Sequence, residues 1–223
     1  MVNFRNVLIA VIAAILVGLL LMGIVGLALQ NNTPQNLYPS EVREYQGENL
    51  SSMGNMRNNA IAGTQHIDNE TYRLNVTGLL NTTLNMSYDE VLSSFQCYQK
   101  VVTLHCVEGW STKILWEGFL VQDLLEQAGF DPDASTVIFY ANDGYSTALP
   151  MSYIKDNNIL IAYKMNDVIL PSERGFPFQL VAESQYGYKW IKWVTTIEVS
   201  NDSSYLGTWE SRGYRNNATI SKP

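Results

Sequence analysis

The strongest apolar signal in the chain comes first. Residues 7–29 form an unbroken hydrophobic run without a charge, long enough at about 1.5 Å per residue to cross a hydrocarbon core of roughly 30 Å. A signal-peptide core is shorter and ends at small residues, and Leu27-Ala28-Leu29-Gln30 offers a poor cleavage site, so the run is expected to be an uncleaved transmembrane anchor. Residues 30–70 have few large apolar side chains among Asn, Gln, Ser and Gly, and read as a polar linker and entry arm that adds nothing to a core. Regular periodicity starts after that. Tyr72, Leu74 and Val76 alternate with Arg73, Asn75 and Thr77 before Gly78, the pattern of a half-buried strand. Ser87-Tyr88-Asp89-Glu90 has capping-box spacing and opens a helix to about Ser94. Residues 100–107 predict a strand; Leu120, Leu124, Leu125 and Ala128 share a helical face that Gly129 and Asp131-Pro132 end. Residues 136–140, 145–149, 159–165, 178–182 and 190–199 predict further strands, with reversals at Asn142-Asp143-Gly144 and Asn166-Asp167. The expected architecture is an α+β domain over residues 71–200, strand-rich with short helices, between a cytoplasmic amino terminus, anchor and arm (1–6, 7–29, 30–70) and a tail (201–223).

Charge fixes an expected orientation. Arg5 precedes the apolar run and the next basic residue is Arg43, so the positive-inside rule puts the amino terminus in the cytoplasm and the domain outside it, on a single-pass cell-membrane protein. The sequons beginning at Asn31, Asn49, Asn69, Asn75, Asn81, Asn85, Asn201 and Asn217 agree with an extracytoplasmic surface. A formal net charge of −7, with no basic stripe, argues against nucleic acid as a partner.

The candidate chemistry centres on Cys106, a thiol at the end of a strand and just before Gly109-Trp110-Ser111. A disulfide to Cys97 is the plain alternative in an oxidising compartment, but an extended strand carries the two apart and closure needs Cα atoms within about 7 Å. A hydrolase nucleophile needs a histidine base. His105 is adjacent on the strand and projects to the opposite face, toward a backbone carbonyl, while His66 lies in the arm. A zinc site from Cys97, His105, Cys106 and His66 lacks the paired-cysteine spacing. An inert buried thiol remains open beside the last reading, a thiolate for a soft metal.

Taken together, Leu104-His105-Cys106-Val107-Glu108-Gly109-Trp110-Ser111, Trp116-Glu117-Gly118, Asp143-Gly144-Tyr145 and Tyr186-Gly187-Tyr188-Lys189-Trp190-Ile191-Lys192-Trp193 resemble the molybdopterin-binding domain of the sulfite oxidase family, over about residues 72–199. Small members, such as periplasmic methionine sulfoxide reductase catalytic subunits, look most similar. The resemblance implies a molybdopterin oxidoreductase with the family's fold, transferring an oxygen atom to or from a small sulfur compound or sulfoxide. It implies Cys106 as the ligand to molybdenum and Tyr145 as a phenol turned toward the metal. It implies cofactor contacts from Ala141, Asn142, Arg174, Gln179, Trp190, Ile191 and Lys192, with Lys192 on the phosphate and Lys189 a neighbour or solvated charge. Arg57, Asn58 and Asn59 stand near a further contact region, and Trp110 and Trp116 read as pocket walls. Gln179 departs from the family pattern, which has arginine there; glutamine lacks the charged fork suited to an anion. That departure leaves open a non-catalytic binding module that keeps the fold without the metal, and it slightly favours a neutral substrate. No C-x-x-C-H or glycine-rich dinucleotide loop occurs in the chain, so electrons are expected to pass to a separate haem- or quinone-linked carrier at the membrane.

Overall fold

The computed structural model describes residues 40–220; the anchor expected over residues 7–29 lies outside them. Among the described residues no helix is long and apolar enough to cross a membrane. In chain order the elements are β1 (Glu44–Tyr45), β2 (Glu48–Asn49), β3 (Leu74–Gly78), β4 (Leu84–Met86), α1 (Tyr88–Ser94), β5 (Tyr98–His105), β6 (Ser111–Leu120), α2 (Val121–Ala128), β7 (Thr136–Ala141), β8 (Ser146–Pro150), α3 (Met151–Asn157), β9 (Leu160–Met165), β10 (Val168–Ile169), β11 (Gln179–Val181) and β12 (Val194–Ser200), with short 3₁₀ turns between. Strand outweighs helix, as the patterning predicts.

Two five-stranded sheets carry the domain. In one, the order is β10-β9-β6-β5, and β11 also pairs with β9. In the other it is β4-β3-β12-β7-β8, with β12 parallel to β3 and antiparallel to β7. Phe178 joins the layers: its ring lies 5.6 Å from Tyr72, 5.4 Å from Tyr88 and 5.6 Å from Phe119. Such tilted and edge-on contacts suit the aromatic quadrupole and add to the area each ring buries. The capping box at Ser87 is complete, since Ser87 accepts from the Glu90 N–H and Glu90 accepts from the Ser87 N–H. Gly129 ends α2 at φ 65°, and Asn166 and Asp167, both at positive φ, turn β9 into β10.

One strand is additional to those expected, and three expectations are corrected. β6 lies inside its sheet between β5 and β9, yet its six consecutive buried residues show no alternation, so periodicity did not reveal it. The strand expected over residues 190–199 begins at Val194, because a 3₁₀ turn over Gly187–Lys189 and a positive φ at Trp193 break extended backbone before it. The arm does enter the core: Leu50, Met53 and Met56 are buried. Its polar anchor is Glu41, a carboxylate out of contact with water that accepts from the Ser52 hydroxyl (2.6 Å), the Met53 N–H (2.9 Å) and the Asn166 amide (3.3 Å). Lys189, expected as a neighbour or solvated charge, is 1% exposed and ion-paired to Glu210 in the tail.

Candidate functional site

The β5–β6 hairpin places Cys106. Its N–H donates to the Trp110 carbonyl (2.9 Å), its carbonyl accepts from Gly109 N–H (3.1 Å), and Gly109 at φ 86° makes the reversal. Cys106 and Cys97 are both free thiols, which bears out the reading against a disulfide. His105 forms a β-bridge with Tyr186, but no hydrogen bond from its ring is found among the described residues, and His66 is exposed.

Cys106 opens onto a cavity of about 550 Å³. Arm residues Arg57 and Asn59 line it, with Trp110, Tyr145, Arg174, Gln179, Trp190, Ile191 and Lys192. One carboxylate ties the arm to the thiol loop: Glu108 Oε2 accepts from Trp110 Nε1 (3.1 Å), Asn59 Nδ2 (3.4 Å) and Arg57 Nη1 (3.4 Å). The Trp110 and Asn59 donors, then Arg57, hold the Glu108 carboxyl below its usual range. Asn59 also points its amide at Cys106 Sγ, 3.7 Å away. Burial is the main cause that pushes the Cys106 thiol up, so the free thiol keeps its proton at neutral pH.

A second cluster is cationic. Gly175 sits at φ 101°, and an added Cβ would come within 3.1 Å of Lys192 side-chain carbons and 3.2 Å of Gln179 Cβ. Only glycine lets the turn over Ser172–Arg174 close so tightly. Arg174 is buried and donates to the Met56 carbonyl at 2.7 Å. Lys192 donates to Asn58 Oδ1 and to the Glu173 carbonyl (3.4 Å), with its ammonium 4.3 Å from the Trp193 ring centre. Burial first, and the neighbouring Arg174 charge second, bring Lys192 down to about 8.

The other expected residues fall in different places. Tyr145 lines the cavity, but its hydroxyl proton goes to the Tyr188 carbonyl, so it is not a free donor toward a metal; burial pushes its pKa well up. Ala141 and Asn142 do not line the cavity: Ala141 is buried under the turn, and the Asn142 amide donates to Gln65 in the arm (2.9 Å). Trp190 packs in a tilted contact, 5.7 Å between ring centres, against Trp116, which is fully buried and supports the wall from behind. Sequence reasoning missed Trp209, Arg212 and Tyr214, which line the cavity from the tail. No local pattern marks them, since they reach the site only through long-range packing.

The model of the oxidoreductase molybdopterin binding domain matches residues 61–209, which include both clusters' thiol, glutamate and lysine. The chain belongs to the sulfite oxidase family of molybdopterin-binding oxidoreductases. As a member it is a molybdopterin-dependent oxidoreductase. It is 33% identical over 148 residues to the uncharacterized oxidoreductase YuiH of Bacillus subtilis, an alignment covering 66% of this chain and 74% of that protein. It is 30% identical over 180 residues to mitochondrial sulfite oxidase of Homo sapiens, covering 67% of this chain and 33% of that one. The chain thus spans about three quarters of the bacterial relative and a third of the human enzyme. The crystal structure of the sulfane dehydrogenase SoxCD from Paracoccus pantotrophus shares the fold, with a TM-score of 0.60 at 21% identity over 63% of this chain and 41% of that one.

Proposed function

We propose that the domain carries out oxygen-atom transfer on a small sulfur compound or sulfoxide, with a molybdenum–molybdopterin group in the cavity and Cys106 as the protein's ligand to the metal. The observation that carries this reading is a free, half-buried thiol on the same cavity wall system as a half-buried lysine and a buried arginine. The donor set fits. Among the described residues no group of three or more His, Cys, Asp or Glu side chains is gathered for a metal, so a metal at Cys106 must bring most of its ligands, as a dithiolene does. The cofactor's phosphate suits Lys192 and Arg174, an ammonium and a guanidinium within electrostatic reach of each other.

When bound, the group supplies two-electron redox chemistry at the metal. The chain's own residues do the rest. Cys106 must release its proton on ligation, which burial opposes and a metal cation drives. Asn59 donates toward the sulfur and, with Glu108, fixes the direction in which it points. Lys192, still mostly charged at neutral pH and now donating to Asn58, would hold the phosphate. Gln179 contributes an uncharged amide, Trp190 and Ile191 close the wall, and Tyr145 holds the Tyr188 backbone.

The unbroken apolar run over residues 7–29, the charge asymmetry around it and the sequons support a single-pass anchor with the domain outside the cytoplasm. That placement brings the domain near a haem- or quinone-linked carrier in the membrane. Purification of the full chain from cells that make the cofactor, followed by turnover assays on the parent and Cys106→Ser, tests the activity. A folded, inactive variant supports it, and equal turnover refutes it. Protease treatment of right-side-out vesicles tests the topology, since a cytoplasmic domain would survive intact.

A further inference from the structure

The tail builds a cavity wall of its own. Gly207 lies against β8 so closely that an added Cβ would stand 2.5 Å from the Ser146 carbonyl oxygen and 2.8 Å from Thr147 Cα. Thr208 exchanges two hydrogen bonds with Ser146, at 2.9 and 2.8 Å. Glu210 then enters the interior, where it pairs with Lys189 and accepts from the Thr147 hydroxyl (3.1 Å), both ionic side chains being essentially out of water. These contacts fix the residues that follow. Trp209 and Tyr214 lie 5.3 Å apart, Tyr214 and Tyr188 5.2 Å, and Arg212 rests on the Trp209 ring with its guanidinium carbon 5.3 Å from the centroid.

Arg212 differs from other cations of the cavity. Arg57 is engaged by Glu108, and Lys192 by Asn58 and the Glu173 carbonyl. Among the described residues the Arg212 side chain makes no ion pair and donates no hydrogen bond, so its planar fork is available to a ligand. Its charge reaches the Tyr145 phenol, on the thiol's cavity.

We infer that Arg212 and its aromatic bed form the substrate-recognising wall, and that the substrate is an organic anion: an apolar body carrying a sulfonate- or carboxylate-type group. This rests on the proposed oxidoreductase reading and gives its substrate class. The cation that Gln179 cannot supply enters from the tail, 33 residues later in the sequence. The aromatic bed (Trp209, Tyr214, Tyr188) selects for the apolar body over a bare inorganic oxyanion.

The test is direct binding to the full chain, followed by calorimetry, with three non-reacting probes: benzenesulfonate, the neutral methyl phenyl sulfone, and inorganic sulfate. Benzenesulfonate should bind about tenfold or more tighter than either of the others. Arg212→Gln should lower benzenesulfonate affinity about tenfold while leaving the sulfone, the melting temperature and the molybdenum content unchanged. Arg212→Lys should recover part of the loss. Equal benzenesulfonate affinity in parent and Arg212→Gln overturns the inference, as does a sulfone that binds as well as the sulfonate. Molybdenum lost in Arg212→Gln also overturns it, by assigning the arginine to the cofactor. A chain without molybdenum that still binds benzenesulfonate through Arg212 refutes the oxidoreductase reading alone; a molybdenum-loaded chain indifferent to Arg212→Gln refutes this inference alone.

Discussion

Asn59 holds its side-chain amide 3.7 Å from the sulfur of Cys106, across 47 residues of sequence. The contact joins the arm to the thiol loop, and Glu108 secures it from the other side by accepting from the same amide at 3.4 Å. Glu108 is exposed, so its part in stability is small and its part in placement is the larger one. Glu108→Ala should leave the melting temperature nearly unchanged yet free the arm, so that Cys106 in metal-free protein reacts with iodoacetamide several-fold faster. An unchanged alkylation rate would remove Glu108 from the clamp.

Lys189 and Glu210 show the opposite balance. Burial is the first cause that pulls Lys189 below the usual lysine range, and the Glu210 carboxylate works against it. Removing one partner strands a buried charge, so Lys189→Ala or Glu210→Ala should each cost about 3–5 kcal/mol in denaturant unfolding. Lys189→Met combined with Glu210→Leu should recover much of that. A double variant as unstable as the sum of the singles would mean that the pair holds the tail by more than charge compensation.

Lys192 predicts effects of opposite sign on stability and on cofactor. Its folded pKa of about 8 lies below the ordinary 10.5, so between those values the unfolded chain binds more protons and stability rises with pH. Below pH 8 the charged lysine costs the cofactor-free fold on the order of 3 kcal/mol. Lys192→Met should therefore raise the melting temperature of cofactor-free protein at pH 7 and flatten its rise between pH 8 and 10.5, while lowering molybdenum occupancy. Thermal scans across pH, run beside metal analysis, check both; a variant that is less stable and equally metallated contradicts the assignment.

Much of this was readable locally. The capping box at Ser87, the Gly129 stop, and the turns at Asn142-Asp143-Gly144 and Asn166-Asp167 depend on neighbours within four residues, and the structure has each where the sequence puts it. The positions of Cys106, Lys192 and Arg174 on one cavity followed from the resemblance rather than from periodicity. What sequence could not give depended on distance. β6 is buried on both faces and so lacks alternation; Lys189 looks solvated until Glu210 arrives from the tail; Trp209, Arg212 and Tyr214 follow the last strand by nine residues or more. Met53 and Met56 were too sparse in a polar arm to register as core, although two buried methionines and one buried carboxylate suffice to pin it.

Ligation of molybdenum by Cys106 is tested most directly by X-ray absorption at the molybdenum edge on the full chain, purified from cells that make the cofactor, alongside Cys106→Ser. With Cys106 as ligand, molybdenum stands near one atom per chain in the parent and has one sulfur neighbour fewer in the variant, with the variant's melting temperature close to the parent's. A parent that carries no molybdenum, or a variant whose metal keeps the same number of sulfur neighbours, contradicts it.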